Sequence, residues 1–221
     1  MNQKPNEKSY IPALRFRWLT PLYDPLLQWT LPEKTLKRRL IERASIQAGQ
    51  RVLDLGCGTG TLAVMIKQLV PEAQVTGLDA DDEVLSIARS KAEEAHLNIT
   101  WDRGLAYDLP YPDNSFDVVV SSLVTHHLTS ADKIGTFKEV YRILRPIRWF
   151  HIVDFGRPFN VTTRLQAAVI KNFEEVADNV AGRIVPMLME AGFESAREAE
   201  SVNTVFGPVW FYQAHKWKGS T

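Results

Sequence analysis

Asp54, Gly56, Gly58, Gly60 and Asp79 are the first residues in this chain whose types and spacing could do chemistry. Four of them stand in Val52-Leu53-Asp54-Leu55-Gly56-Cys57-Gly58-Thr59-Gly60, and Asp79 follows 19 positions after Gly60. The short apolar run reads as a buried parallel strand, and Leu62, Met65, Ile66 and Leu69 then recur at helical spacing until Pro71. Strand, glycine turn and helix make a nucleotide-binding corner. Glycine lets the backbone turn tightly and lets a ligand lie against it where a Cβ would collide. A carboxylate that ends the next strand, as Asp79 does, can accept both hydroxyls of a ribose. Asp54 would hold backbone N–H groups of the loop or reach a ligand's ammonium. Cys57, small and set between two glycines, reads as packing rather than as a nucleophile.

The spacing bears on which nucleotide. A dinucleotide fingerprint is G-x-G-x-x-G, which would place its third glycine at 61, where Thr61 stands; here the third comes one residue early. A second candidate group is His126-His127, just after the apolar run Phe116–Ser121. Either imidazole could serve as a general base, His127 in preference. His96, His151 and His215 read as structural. No cysteine cluster or Asp/His set has metal-ligand spacing, so no metal is expected.

These residues need elements to position them. Glu33 to about residue 47 carries an amphipathic helical pattern, with Thr30 and Glu33 at capping-box spacing. Strands follow at 52–55, 74–79, 98–101, 116–121 and 150–153. Helices alternate with them after Gly60, after Asp81 and over 131–144. Such alternation predicts a parallel sheet with helices on both faces. Beyond Pro158, one long helix is expected over 165–180 and another over 184–191. Residues 194–215 read as a terminal antiparallel pair turning at Gly207-Pro208. The fold class is therefore α/β, a Rossmann-like, mostly parallel sheet of seven strands with a C-terminal antiparallel pair. It forms one domain over 1–221: an N-terminal cap over 1–48, a cofactor core over 49–158, and acceptor-side helices and strands over 159–221. Residues 11–31 interleave Phe16, Trp18, Tyr23 and Trp29 with three prolines. They read as short helical turns packed on the domain or lying over a pocket, and could equally cover a neighbouring subunit.

Composition narrows the class. The 221 residues suit one well-cored domain, and 26 basic residues balance 26 acidic ones, which argues against a nucleic-acid partner. The single cysteine allows no intramolecular disulfide. No apolar run approaches a membrane span, and the first residues lack a signal peptide's apolar core. A cytoplasmic enzyme is the expectation.

Leu109-Pro110-Tyr111-Pro112-Asp113-Asn114-Ser115-Phe116-Asp117-Val118-Val119, together with Ser121-Ser122-Leu123-Val124-Thr125-His126-His127-Leu128, carries a family resemblance. With the glycine corner, the chain from about Gly49 to Pro158 resembles the class I S-adenosylmethionine-dependent methyltransferases. Within that class it is most similar to the group that includes the ubiquinone/menaquinone C-methyltransferases. The resemblance implies S-adenosyl-L-methionine held at Gly56, Cys57, Gly58, Gly60 and Asp54, with Asp79 on the ribose. It implies adenine near Ala80, Leu105 and Ala106, and the methionine carboxylate end near Ser121. It also implies in-line methyl transfer to a small, apolar or amphipathic acceptor. Two departures stand out. The family often has Gly-Asp-Ala where this chain has Gly104-Leu105-Ala106, and leucine cannot accept a hydrogen bond from the adenine amino group; Asp102 could substitute. Relatives usually have Pro-Gly-Gly where Pro146-Ile147-Arg148 stands, which predicts a stability cost. The alternative reading is a non-catalytic cofactor-binding or scaffold protein of the same fold.

Overall fold

A computed structural model describes residues 33–170 and 175–217. The aromatic segment over 11–31 and the Thr30 cap lie outside the described residues. In chain order the elements are α1 (Glu33–Ala44), β1 (Arg51–Leu55), α2 (Thr61–Leu69), β2 (Gln74–Asp79), α3 (Asp82–Glu94), β3 (Thr100–Arg103), β4 (Phe116–Ser122), α4 (Ser130–Ile143) and β5 (Leu144–Phe155). Then follow α5 (Val161–Ile170), α6 (Ala177–Val180), α7 (Ile184–Glu190), β6 (Ser195–Thr204) and β7 (Gly207–Lys216). The seven strands form one sheet in the order β3-β2-β1-β4-β5-β7-β6, parallel from β3 to β5, with β7 antiparallel to both neighbours.

Val52, Leu53 and Leu55 of β1 and Val118, Val119 and Val120 of β4 are all buried, as a strand covered on both faces requires. One face packs Leu36, Leu40 and Ile41 of α1 with Leu62, Ala63 and Ile66 of α2. The other packs Phe137, Val140 and Ile143 of α4 with Ile184, Met187 and Leu188 of α7. The chain leaves β1 in one direction for β2 and β3 and returns on its other side for β4. The crevice between the carboxyl ends of β1 and β4 is therefore the switch point, where open sheets of this kind bind ligands.

Several boundaries differ from the sequence reading. α1 ends at Ala44, not near 47, because Ser45 adopts φ 47° and Gly49 φ 77°. β3 begins at Thr100, two residues later than expected. The long helix over 165–180 is not continuous: α5 and α6 are separate, and Glu175 and Val176 between them are not helical. The Glu175 carbonyl is instead tied to Lys133 Nζ at 2.7 Å. The hairpin turns at Val205-Phe206, and Gly207 and Pro208 already belong to β7.

The largest difference is in β5, which starts at Leu144 rather than Phe150. Phe116 pairs with Leu144 and Val118 with Trp149, so Arg145–Arg148 bulge out of the ladder. Ile147 sits in that bulge at φ 60°, and its side chain is 66% exposed. A left-handed backbone costs an L residue about 1–2 kcal/mol, and a β-branched one is a true outlier there. This conformation is the physical basis of the stability cost expected where relatives have glycine. Ile147→Gly relieves the strain, loses little buried surface, and adds about 0.5–1 kcal/mol of unfolded-chain entropy to overcome. A net gain of about 0.5–1 kcal/mol in urea unfolding is expected; a lower midpoint would show that the bulge is not strained.

Candidate active site

β1 delivers Asp54 and the glycines to the switch point. Asp54 is 1% exposed, and its Oδ2 accepts the Ala63 N–H at 3.0 Å, holding the first turn of α2 to the strand. The Gly56 and Cys57 N–H groups both donate to the Leu78 carbonyl at the end of β2, at 2.8 and 3.0 Å. Gly60 is the residue before α2, at φ 74°. Asp79, next along β2, accepts the Gly58 N–H at 2.8 Å on one oxygen and the Asp81 N–H at 3.1 Å on the other. Asp81 in turn caps α3 by accepting the Glu83 N–H. Lys91 of α3 reaches back to donate to Thr59 O, Thr59 Oγ1 and Thr61 Oγ1. The glycine corner is thus clamped from β2 and α3.

A cavity of about 350 Å³ opens here, a size suited to a small ligand. Gly56, Gly58, Asp79 and Ala80 form one wall, Gly104, Leu105, Ala106 and Tyr107 the second, and Leu123, Val124, His127, Leu128, Thr129 and Asp132 the third. Leu123 adopts φ 59°, an uncommon backbone state that concentrates at functional sites. At Gly56 (φ 69°) an added Cβ would lie 2.5 Å from Val124 Cγ2, so the third wall packs directly on the glycine. At Gly58 (φ 51°) an added Cβ would meet nothing within 4 Å. The open space in front of Gly58 belongs to the cavity.

The other residues singled out in the sequence fall away from the opening. Cys57 is buried, and burial together with the Asp54 and Asp79 charges pushes its thiol well above the usual range, so it is a packing residue. Ser121 does not reach the cavity: it is 1% exposed and donates its hydroxyl to the Leu55 carbonyl at 3.0 Å, bonding β4 to β1. Asp102 does not line the cavity, and its carboxylate accepts the Tyr111 hydroxyl at 2.9 Å. The two histidines are split. His127 lines the cavity, whereas His126 is 4% exposed and turned inward, with Nδ1 2.6 Å from Asp154 Oδ1.

Asp154 was not singled out by sequence, although it follows the apolar run of β5 as Asp79 follows that of β2. It is fully buried and accepts the Val124 and Thr125 N–H groups and the Thr125 hydroxyl on one oxygen, and the Phe155 N–H on the other. Burial pushes its carboxyl up, but His126 and these donors outweigh it and hold it below the usual range. Asn179 of α6 donates to Thr125 Oγ1 and the Phe155 carbonyl, both at 3.1 Å. Lys133, 0% exposed, donates to the Leu128 and Glu175 carbonyls at 2.7 Å. The turn carrying His127 is therefore built from β5, α4 and α6 together. Among the described residues, no group of three His, Cys, Asp or Glu is placed to hold a metal ion.

Two outcomes follow from this geometry. Gly56→Ala combines a left-handed backbone with a clash and is expected to cost about 2–4 kcal/mol. Gly58→Ala carries only the backbone cost, about 1 kcal/mol; equal losses in urea unfolding would contradict the packing described. The second outcome concerns Asp54, whose carboxyl burial pushes up to about 7 against the opposing pull of Lys37 and the Ala63 N–H. The native state then holds a proton that the unfolded chain releases near pH 4, so this group erodes stability as pH rises from about 4 to about 7. Asp54→Asn should flatten that decline, with the larger gain at pH 7 than at pH 4.

Comparison with known proteins agrees with this geometry. Residues 52–147 match a family model described as a methyltransferase domain. A demethylmenaquinone methyltransferase of Listeria monocytogenes is 30% identical over 208 residues, covering 82% of this chain and 86% of that protein. A 2-phytyl-1,4-naphtoquinone methyltransferase of Synechococcus elongatus is 34% identical over 156 residues, covering 67% of this chain and 65% of that one. The fold matches the YcgJ protein of Bacillus subtilis with a TM-score of 0.69 at 19% identity, over 84% of this chain and 100% of that chain. It also matches phosphoethanolamine N-methyltransferase 2 of Haemonchus contortus, solved with S-adenosyl-L-methionine, with a TM-score of 0.66 at 18% identity, over 83% and 53% of the two chains. The chain belongs to the methyltransferases, in the family that includes the demethylmenaquinone methyltransferases.

Proposed function

We infer that this methyltransferase draws its methyl group from S-adenosyl-L-methionine bound in the 350 Å³ cavity and passes it to a small, amphipathic acceptor of the quinol class. The observation that carries the cofactor reading is the space before Gly58, which any side chain would enter, bounded by the Asp79 carboxylate. Each Asp79 oxygen holds one backbone N–H and keeps a lone pair for a ribose hydroxyl. Ala80, Leu105 and Ala106 offer apolar surface and backbone groups to an adenine. The names of the two relatives favour a naphthoquinol acceptor, and the apolar third wall of Leu123, Val124 and Leu128 suits one.

The cofactor supplies a methyl group already activated on a sulfonium, so the protein's task is placement. Asp79 and the glycine corner would fix the donor. The third wall would hold the acceptor within about 3 Å of the methyl carbon in line with the breaking bond, a geometry that alone accounts for many orders of magnitude in rate. His127 would present a ring nitrogen to the acceptor's hydroxyl. Leu105 offers no hydrogen-bond acceptor, a loss worth about 1 kcal/mol in cofactor affinity, which weakens the site without closing it.

Calorimetric titration with S-adenosylmethionine and S-adenosylhomocysteine, with NAD as the control, tests this reading. Binding of both sulfur compounds and not of NAD is expected. Asp79→Ala loses two charge-assisted hydrogen bonds and should weaken binding by about 100-fold or more. Gly58→Ala should fold yet bind poorly. Failure of the wild-type chain to bind either sulfur compound would sink the reading.

A further inference from the structure

His126 does not meet the cavity, and neither does Asp154, yet both are built around the residue that does. The His126 and His127 rings lie 4.0 Å apart between centroids, tilted by 44°. On its other side His126 packs edge-on against Phe155, at 4.9 Å. Its Nδ1 faces the Asp154 carboxylate at 2.6 Å, a charge-assisted length. The other Asp154 oxygen accepts the Val124 and Thr125 N–H groups and the Thr125 hydroxyl of the same turn.

We propose that His126 and Asp154 form a buried imidazolium–carboxylate pair that positions His127, fixing its turn and keeping its ring neutral toward the cavity. The inference rests on the methyl-transfer reading for its purpose, because a second cation on the cavity wall would repel the sulfonium of a bound donor. Its physical basis is independent of that reading. Burial disfavours a charge on His127, and the adjacent His126 cation and Lys133 disfavour it further. Asp154 acts in the opposite sense but is already neutralised by its partner. From the cavity side Tyr107 and Asp132 face the same space, and Asp178 offsets Lys133 at 3.7 Å. The balance pushes His127 down to about 3. A ring so held still offers an acceptor nitrogen but does not keep a proton, so His127 is expected to orient the acceptor's hydroxyl while the proton that hydroxyl loses goes to water.

The test is a nitrogen-15 NMR titration of the histidine rings in the full chain from pH 5 to 8, with and without S-adenosylhomocysteine. Signals are assigned with His127→Asn and His126→Asn. The expected result is a His127 ring that stays neutral throughout and a His126 ring carrying both protons at pH 7. In His126→Asn, His127 should begin to titrate within this range, its midpoint moving up by about two units or more toward an ordinary histidine value of about 6.5. A purely structural role for His126 would leave that midpoint unmoved. A wild-type His127 that titrates near 6.5, or a His126 that is neutral at pH 7, overturns the proposal. Those wild-type readings decide it even where His126→Asn does not fold. Absence of S-adenosylhomocysteine binding would instead strike the functional reading, and the ligand-free titration would still decide the pair.

Discussion

The bond from the Gly58 N–H to Asp79 is the contact on which the rest of the site depends. Three left-handed glycines in five residues have no side chains with which to hold their own shape. Their conformation is imposed from outside, by the Leu78 carbonyl, the Asp79 carboxylate and the Lys91 ammonium. All three belong to β2 and α3, which reach the loop only because β2 lies beside β1 in parallel register. The parallel sheet is therefore more than a scaffold. It brings the clamp to the loop, because the pairing of Asp54 with Gly77 and of Leu55 with Leu78 sets the level at which β2 meets the glycine turn.

The same side chain stands near the ends of three strands, and for the two buried copies the number of donors around it decides the electrostatic outcome. Asp54 receives one N–H and lies in apolar surroundings, so burial prevails and its carboxyl is pushed up. Asp154 is as deeply buried, yet three N–H groups, a hydroxyl and an imidazole surround it and keep it ionised. Asp79 lies at the cavity mouth with two N–H groups and room for more. Desolvation is common to the first two; hydrogen bonding to the charged form separates them.

What was legible in the sequence is what is local in it. Strand, glycine turn and helix span eighteen consecutive residues or so, and the acid after β2 is found by the rule that ligands meet the carboxyl ends of strands. Ser121 misled because it stands within β4 rather than past its end: it is buried and its hydroxyl bonds the Leu55 carbonyl across the ladder, and the cavity lining begins only at Leu123. Asp154 was within reach, since it follows Phe150–Val153 as Asp79 follows its own apolar run, but its partners come from residues 124–126, some thirty positions earlier, which no local pattern links to it. The β5 bulge was hidden for a similar reason. Arg145 to Arg148 reads as a loop, and only the pairing of Leu144 with Phe116 shows that the strand has already begun.

The two sides of the cavity are consequently built on different principles. The glycine wall is held by short-range bonds to β2. The wall carrying His127 is held from behind: Asp154 grips its backbone, Lys133 ties Leu128 to the carbonyl of Glu175, and Asn179 bonds Thr125. A leucine at φ 59° persists at its start because these anchors leave it no alternative. Glu175 and Asn179 do not line the cavity, yet both pull on the turn that does. The chain after β5 thus shapes the His127 side of the cavity through the backbone of residues 123–128. A substitution in α6 would reach the cavity by moving that turn, while the bonds that anchor the glycine wall to β2 and α3 would stay in place.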